Sequence, residues 1–119
     1  MGSKRIKPWI GVDFDGTLSK HYGWVRGTHT GSRIPAMVGR VKAWLRAGKK
    51  VRIFTARVYA HADSAKEQRE AAHAILAIQN WCVKHLGRML PITYVKDYGM
   101  VKLWDDRAQG VTKNRGKRK

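Results

Sequence analysis

Acidic residues are scarce in this chain. Eight Asp and Glu stand against 25 Lys and Arg, a formal net charge of +17 over 119 residues. Cysteine is nearly absent: Cys82 is alone, which excludes an intramolecular disulfide and fits a reducing compartment. Long apolar runs are missing too. No stretch approaches the ~18 uninterrupted apolar residues that a membrane helix needs. The opening Met-Gly-Ser-Lys-Arg lacks the apolar core of a signal peptide. Together these absences lead us to expect a soluble, cytoplasmic protein without membrane contact.

What is present describes one folded unit. At 43% hydrophobic the chain can bury a real core and is not a disordered polycation. Its length suits one domain, which we place at 1–112, followed by a basic, flexible tail at 113–119. Three cations (Lys4, Arg5, Lys7) precede the first apolar run, and five (Lys113, Arg115, Lys117, Arg118, Lys119) lie in the tail. Without those eight, 17 basic residues still face 8 acidic ones, so the folded part is basic as well. Such a field attracts polyanions, nucleic acid among them, and phosphorylated small molecules. The tail alone also reads as plain solvated charge.

Periodicity sets out the elements. "PWIGVD" (8–13) reads as a buried strand ending at Asp13. Residues 16–34, rich in Gly, Thr, Ser and His, read as a long loop with room for a small hairpin. A helix follows from Pro35 to just before Gly48, with Met37, Val38, Val41, Trp44 and Leu45 on one face. "KKVRIFTA" is a second strand ending near Thr55. The strongest helix signal spans 64–86: Ser64 and Glu67 have capping-box spacing, Ala71, Ile75, Ile78, Cys82 and Leu86 form a stripe, and Gly87 stops it. "ITYV" (92–95) and "VKLWDD" (101–106) are two more strands, and Val111 is the one sign of another. This order predicts an α/β fold on a mostly parallel sheet.

Reactive groups in such sheets gather beyond the carboxyl ends of the strands. Those ends carry Asp13 and Asp15, Thr55, and Asp105 with Asp106, while Lys96 directly follows the strand at 92–95. Carboxylates brought together without a cation repel and their pKa values rise. Mg²⁺, which takes a few carboxylate oxygens and keeps waters beside a substrate phosphate, removes that cost. Asp13, Asp15 and Asp105 are the candidate metal ligands, with Asp106 as a further ligand or support. Thr55 offers a hydroxyl, and Lys96 an ammonium, to phosphoryl oxygens. Asp13 is placed to attack phosphorus, and Asp15 to protonate the leaving oxygen and then deprotonate water. Gly16 eases the bend between strand and loop.

Blander readings apply to each part taken singly. An Asp-x-Asp pair by itself is usually a turn or a helix cap. A calcium loop at "DFDGTLSKHYGW" fails, because its sixth position is Leu18 and its twelfth Trp24. Lys102 competes with Lys96 but begins its strand. Asp106 also suits a pair with Arg107 or a cap on the next turn, and Arg57 is close enough to touch a substrate, although such a residue is more often a surface arginine. "GTHTGS" (27–32) lacks a Gly-Lys-Thr ending and opens no clear helix. The five histidines show no ligand spacing, and Cys82 reads as a buried structural thiol. Trp44 and Trp81 read as packing residues, and Trp24 as a ring able to stack on a base or cover the site.

The set Asp13-Phe14-Asp15-Gly16-Thr17-Leu18, Thr55, Lys96 and Asp105-Asp106 resembles the haloacid dehalogenase-like (HAD) phosphohydrolase superfamily. Its four short motifs occur here in order between about Trp9 and Ala108. The resemblance implies a three-layer Rossmann-like core with the first strand central, and a Mg²⁺ also bound by the main chain of Asp15. It implies Asp13 as nucleophile, Asp15 as acid/base, and Thr55 with Lys96 on the phosphate. Residues 19–33 and 56–63 are too few for the cap domain most members insert, so the likeness is to small capless members of phages and bacteria. The chain is also short after Asp106, which reduces the usual last strands.

The expectation is therefore a Mg²⁺-dependent phosphatase working through a phosphoaspartate. An open site and a basic surface favour phosphate on a nucleic-acid end or another macromolecule, with a small phosphomonoester such as a nucleotide or sugar phosphate as the alternative within catalysis. The alternative is a non-catalytic nucleic-acid-binding module that keeps the fold.

Overall fold

The computed structural model describes residues 7–21, 23 and 28–119. Four strands, β1 (Trp9–Val12), β2 (Val51–Phe54), β3 (Ile92–Thr93) and β4 (Met100–Trp104), form one sheet in the order β3-β2-β1-β4. Every pairing is parallel. All four residues of β1 are buried, as expected of a strand with neighbours on both sides. The α/β class and the parallel sheet agree with the sequence reading.

Helix α1 (Pro35–Arg46) has no side-chain cap and starts on its proline, whose fixed φ suits a first turn. Helix α2 (Ala65–Leu86) is capped by Ser64, whose Oγ accepts the Glu67 N–H at 3.1 Å, and it ends at Gly87. Met37, Val38 and Val41 of α1, with Ile78, Trp81, Cys82 and Leu86 of α2, pack on Ile10, Val12, Val51 and Ile53. Burial pushes the Cys82 thiol up to about 11, in keeping with a structural role. Trp44 is half-buried against the Trp104 ring, with centroids 5.4 Å apart.

Side chains alternate along a strand, so Ile10 and Val12 share a face with Val51 and Ile53. Both helices contribute to the cluster on that face, and they touch each other. The described residues thus form two layers where three were expected. The reason lies in the connections. The crossovers β1 to β2 and β2 to β3 step in the same direction along the sheet, and two such connections of the usual right hand put both helices on one side. The return to β4 is residues 94–99 alone, too short to carry a covering helix. It runs along the other face instead. There the Asp97 carboxylate accepts the Trp9 indole N–H at 2.8 Å, Gly99 O accepts the Trp9 N–H at 2.8 Å, and Arg52 lies 4.6 Å over the Trp9 ring.

Val111 does pair, in an antiparallel bridge with Arg118, and Thr112 N–H donates to Lys117 O at 2.7 Å. The basic segment expected as a tail folds back on itself as a turn. Among the described residues, no helix is long and apolar enough to cross a membrane. Trp24 lies outside the described residues.

Candidate active site

The register of the two central strands builds the site. Val12 pairs with Trp104, and Asp13 N–H donates to Trp104 O at 2.9 Å. That bond sets Asp13 beside Asp105, the next residue of the other chain segment. Phe14 is fully buried, edge-on to Trp81 with centroids 5.1 Å apart. Its carbonyl accepts the N–H groups of Leu18 (3.0 Å) and Ser19 (2.9 Å), which curls 14–19 into a tight loop. With Phe14 sunk in the core, its neighbours Asp13 and Asp15 both line the cleft outside. Gly16 sits at φ +83°, and a Cβ there would lie 2.6 Å from Asp106 Oδ2. A side chain at this position would be strained by the positive φ and would displace the Asp106 carboxylate from the cluster.

Asp13, Asp105 and Asp106 each present a carboxylate oxygen within 4.8 Å of the others. The Thr17 hydroxyl lies 3.4 Å from both Asp13 and Asp106 and accepts the Asp106 N–H at 3.3 Å. Asp105 accepts the Arg107 N–H at 2.9 Å, so the turn is capped by Asp105 rather than by Asp106. Burial, then the charges of Asp105 and Asp106 and a hydrogen bond to Asp106, push the Asp13 carboxyl up to about 7. Such a rise is what crowded carboxylates undergo without a countercharge. Three carboxylate oxygens this close could hold a divalent cation, and hard oxygen donors are the kind that the implied Mg²⁺ takes.

Asp15, expected among the metal ligands, stands outside this cluster of side chains. Arg57 grips it with a fork, Nε to Oδ2 at 2.6 Å and Nη2 to Oδ1 at 2.8 Å. Arg57 also donates to His29 O in the long loop, and His21 Nδ1 lies 3.8 Å from Asp15. The Arg57 side chain is only 11% exposed, so it is not the surface arginine the sequence suggested. A bidentate guanidinium clamp fixes a carboxylate in position and plane.

Thr55 is buried and lines the cleft. Its Oγ1 accepts the Arg57 N–H at 3.2 Å, capping the short 3₁₀ turn Ala56–Val58; the hydroxyl proton remains to donate. Lys96 is exposed and does not line the cleft. It precedes Asp97, which is bonded to Trp9 at the start of β1, so the 94–99 return carries it toward the opposite end of the sheet. The cations that do line the cleft are Arg57 and Arg107.

The cleft measures about 890 Å³. It gathers Asp13, Asp15, Glu67, Glu70, Asp105 and Asp106, six of the chain's eight acids. The two glutamates come from the first turns of α2 and were missed by motif reasoning. A signal existed: extending the buried stripe back one turn from Ala71 reaches Glu67. Tyr59, also at the cleft, is 52% exposed and meets Tyr94 edge-on with centroids 5.4 Å apart.

No family model matches this chain, and neither does any curated protein or solved structure among those compared.

Proposed function

We propose that the protein is a capless, Mg²⁺-dependent phosphomonoester hydrolase with a reduced HAD-like core. The observation that carries this reading is the meeting of Asp13 with Asp105 and Asp106, residues nearly the whole chain apart, beside a buried Thr55. Strand order also supports it, since β1 lies between β2 and β4 as the resemblance implies. Asp13, Asp105 and Asp106 would hold the ion, which would draw off phosphoryl charge and lower the repulsion between carboxylates.

The chain's own residues divide the chemistry. An Asp13 oxygen attacks phosphorus and the ester P–O bond breaks. The leaving oxygen takes a proton from Asp15. Asp15 then takes a proton from water as that water attacks phosphorus, the Asp13–phosphorus bond breaks, and inorganic phosphate departs. Both Asp15 oxygens now accept from Arg57. The fork must therefore release one oxygen when substrate arrives; that oxygen takes up a proton from solvent before passing it to the leaving group, and the freed guanidinium donates to the phosphoryl group beside the Thr55 hydroxyl. The exposed Tyr59 ring at the cleft suits a nucleobase next to the phosphate, so nucleotides and nucleic-acid ends are the favoured substrates.

A binding module without turnover is the competing reading, favoured by the displacement of Lys96. A phosphate-release assay on 3′- and 5′-phosphorylated oligonucleotides, with Mg²⁺ or EDTA, decides between them. Release with Mg²⁺ and none with EDTA is expected. No release from any phosphoester, with oligonucleotide binding intact, would leave the binding module.

A further inference from the structure

A second cleft, about 480 Å³, opens at the other end of the sheet and is lined by Lys7, Lys49, Lys50, Arg52 and Arg88. No acidic residue among the described ones lines it. These cations come from separate places in the chain. Lys7 precedes β1, Lys49 and Lys50 precede β2, Arg88 precedes β3, and Arg52 lies within β2. Arg52 is held over the Trp9 ring and 3.6 Å from Asp97. The other four have no side-chain partner among the described residues. Folding has therefore brought like charges together around a concavity, at a cost in repulsion that an anion would relieve. Trp9 is buried and offers no face for base stacking, so contact here would be with phosphates.

We propose that this cleft binds the sugar-phosphate backbone of a single-stranded nucleic acid, independently of base sequence and of the acidic site. The occupant is a strand because the cations line a recess that phosphates on one narrow chain can enter. Several adjacent phosphates are needed to answer several adjacent cations. This site is separate from the phosphatase reading and stands without it.

The test measures binding of a fluorescein-labelled oligothymidine of about 12 nucleotides, within the ~4–16 range of single-strand sites. The oligonucleotide carries no terminal phosphate, and EDTA is present, so turnover plays no part. Lys49→Gln/Lys50→Gln/Arg88→Gln removes three exposed charges from the cleft. Lys113→Gln/Arg115→Gln/Lys117→Gln removes three from the tail and serves as the control for net charge. Thermal melting confirms that both variants fold. The cleft variant is expected to lose about tenfold or more in affinity at low salt, and its salt slope to fall by about 2, as three lost phosphate contacts require. The tail variant should lose about threefold or less. Equal losses in the two variants, wild-type binding by the cleft variant, or no binding by the wild type would each overturn the proposal. Tighter binding of a duplex than of the single strand would overturn it as well.

Discussion

The two ends of the sheet carry opposite charge, and both do so by position along the strands. At the exits, Asp13 and Asp15 follow β1, and Asp105 and Asp106 follow β4. At the entrances, Lys7, Lys49, Lys50 and Arg88 precede β1, β2 and β3. The acidic end holds most of the few acids the chain has, and it crowds them until Asp13 keeps its proton to about pH 7. At the basic end only Arg52 has an acid beside it, Asp97, while Lys7, Lys49, Lys50 and Arg88 have no acidic side-chain partner among the described residues. A parallel sheet makes such segregation natural, because every strand exit lies on one side and every entrance on the other. The acidic end is the one where we propose a metal ion, the basic end the one where we propose a polyanion.

Charge removal at the acidic end should give the largest effect. With Mg²⁺ present, Asp13→Asn is expected to cut turnover of p-nitrophenyl phosphate by about 1,000-fold or more, because the proposed nucleophile is gone. The same variant should leave oligothymidine binding at the basic end unchanged; parallel loss of both would break the separation of the two ends.

Arg57→Ala should come next. It frees Asp15 from its clamp, and a misplaced acid/base group costs about 100-fold in kcat. Steady-state kinetics should show the loss mainly in kcat, with partial recovery in Arg57→Lys, which restores the charge but not the fork. Wild-type kcat in Arg57→Ala would show the fork to be structural only.

The metal-free protein should lose stability as pH rises. Folded Asp13 releases its proton at about 7, while the unfolded residue does so near the ordinary 3.8. Between those values the folded state binds the extra proton, so this contribution to stability declines as pH climbs from about 4 to about 7. In EDTA, Tm should drop by a few degrees across that window. Mg²⁺ at saturating concentration should restore it at pH 8 but do little at pH 5, where the ion competes with the proton. A Tm in EDTA that rises through the window would contradict the crowding at this end.

The smallest effect belongs to Lys96→Gln. Because Lys96 lies outside the acidic cleft, kcat should stay within about twofold of wild type, against the role that the resemblance gives it. A loss of about tenfold or more would show that the return segment brings Lys96 to the phosphate during turnover.

Much of this was written locally. Pro35, Ser64 with Glu67, and Gly87 mark the helix ends because capping and backbone preferences act over a few residues. The central strands are legible from their apolar runs. Asp13, Asp15, Thr55 and the 105–106 pair could be placed at strand exits because parallel topology needs only the order of elements. Arg57 could not be read this way: its partner lies 42 residues away in sequence, and nothing near Arg57 marks it as buried.

The sequence by itself determined where the elements begin and end, and that acids follow the first and last strands, because those features rest on neighbours along the chain. Tertiary structure alone decided that both helices share one face, that Arg57 clamps Asp15, that Glu67 and Glu70 turn to the acidic cleft, and that Lys96 is carried away from it. Each of those depends on register and crossover length between distant segments, and a one-residue slip in a strand or a longer 94–99 return would change them without altering any local pattern.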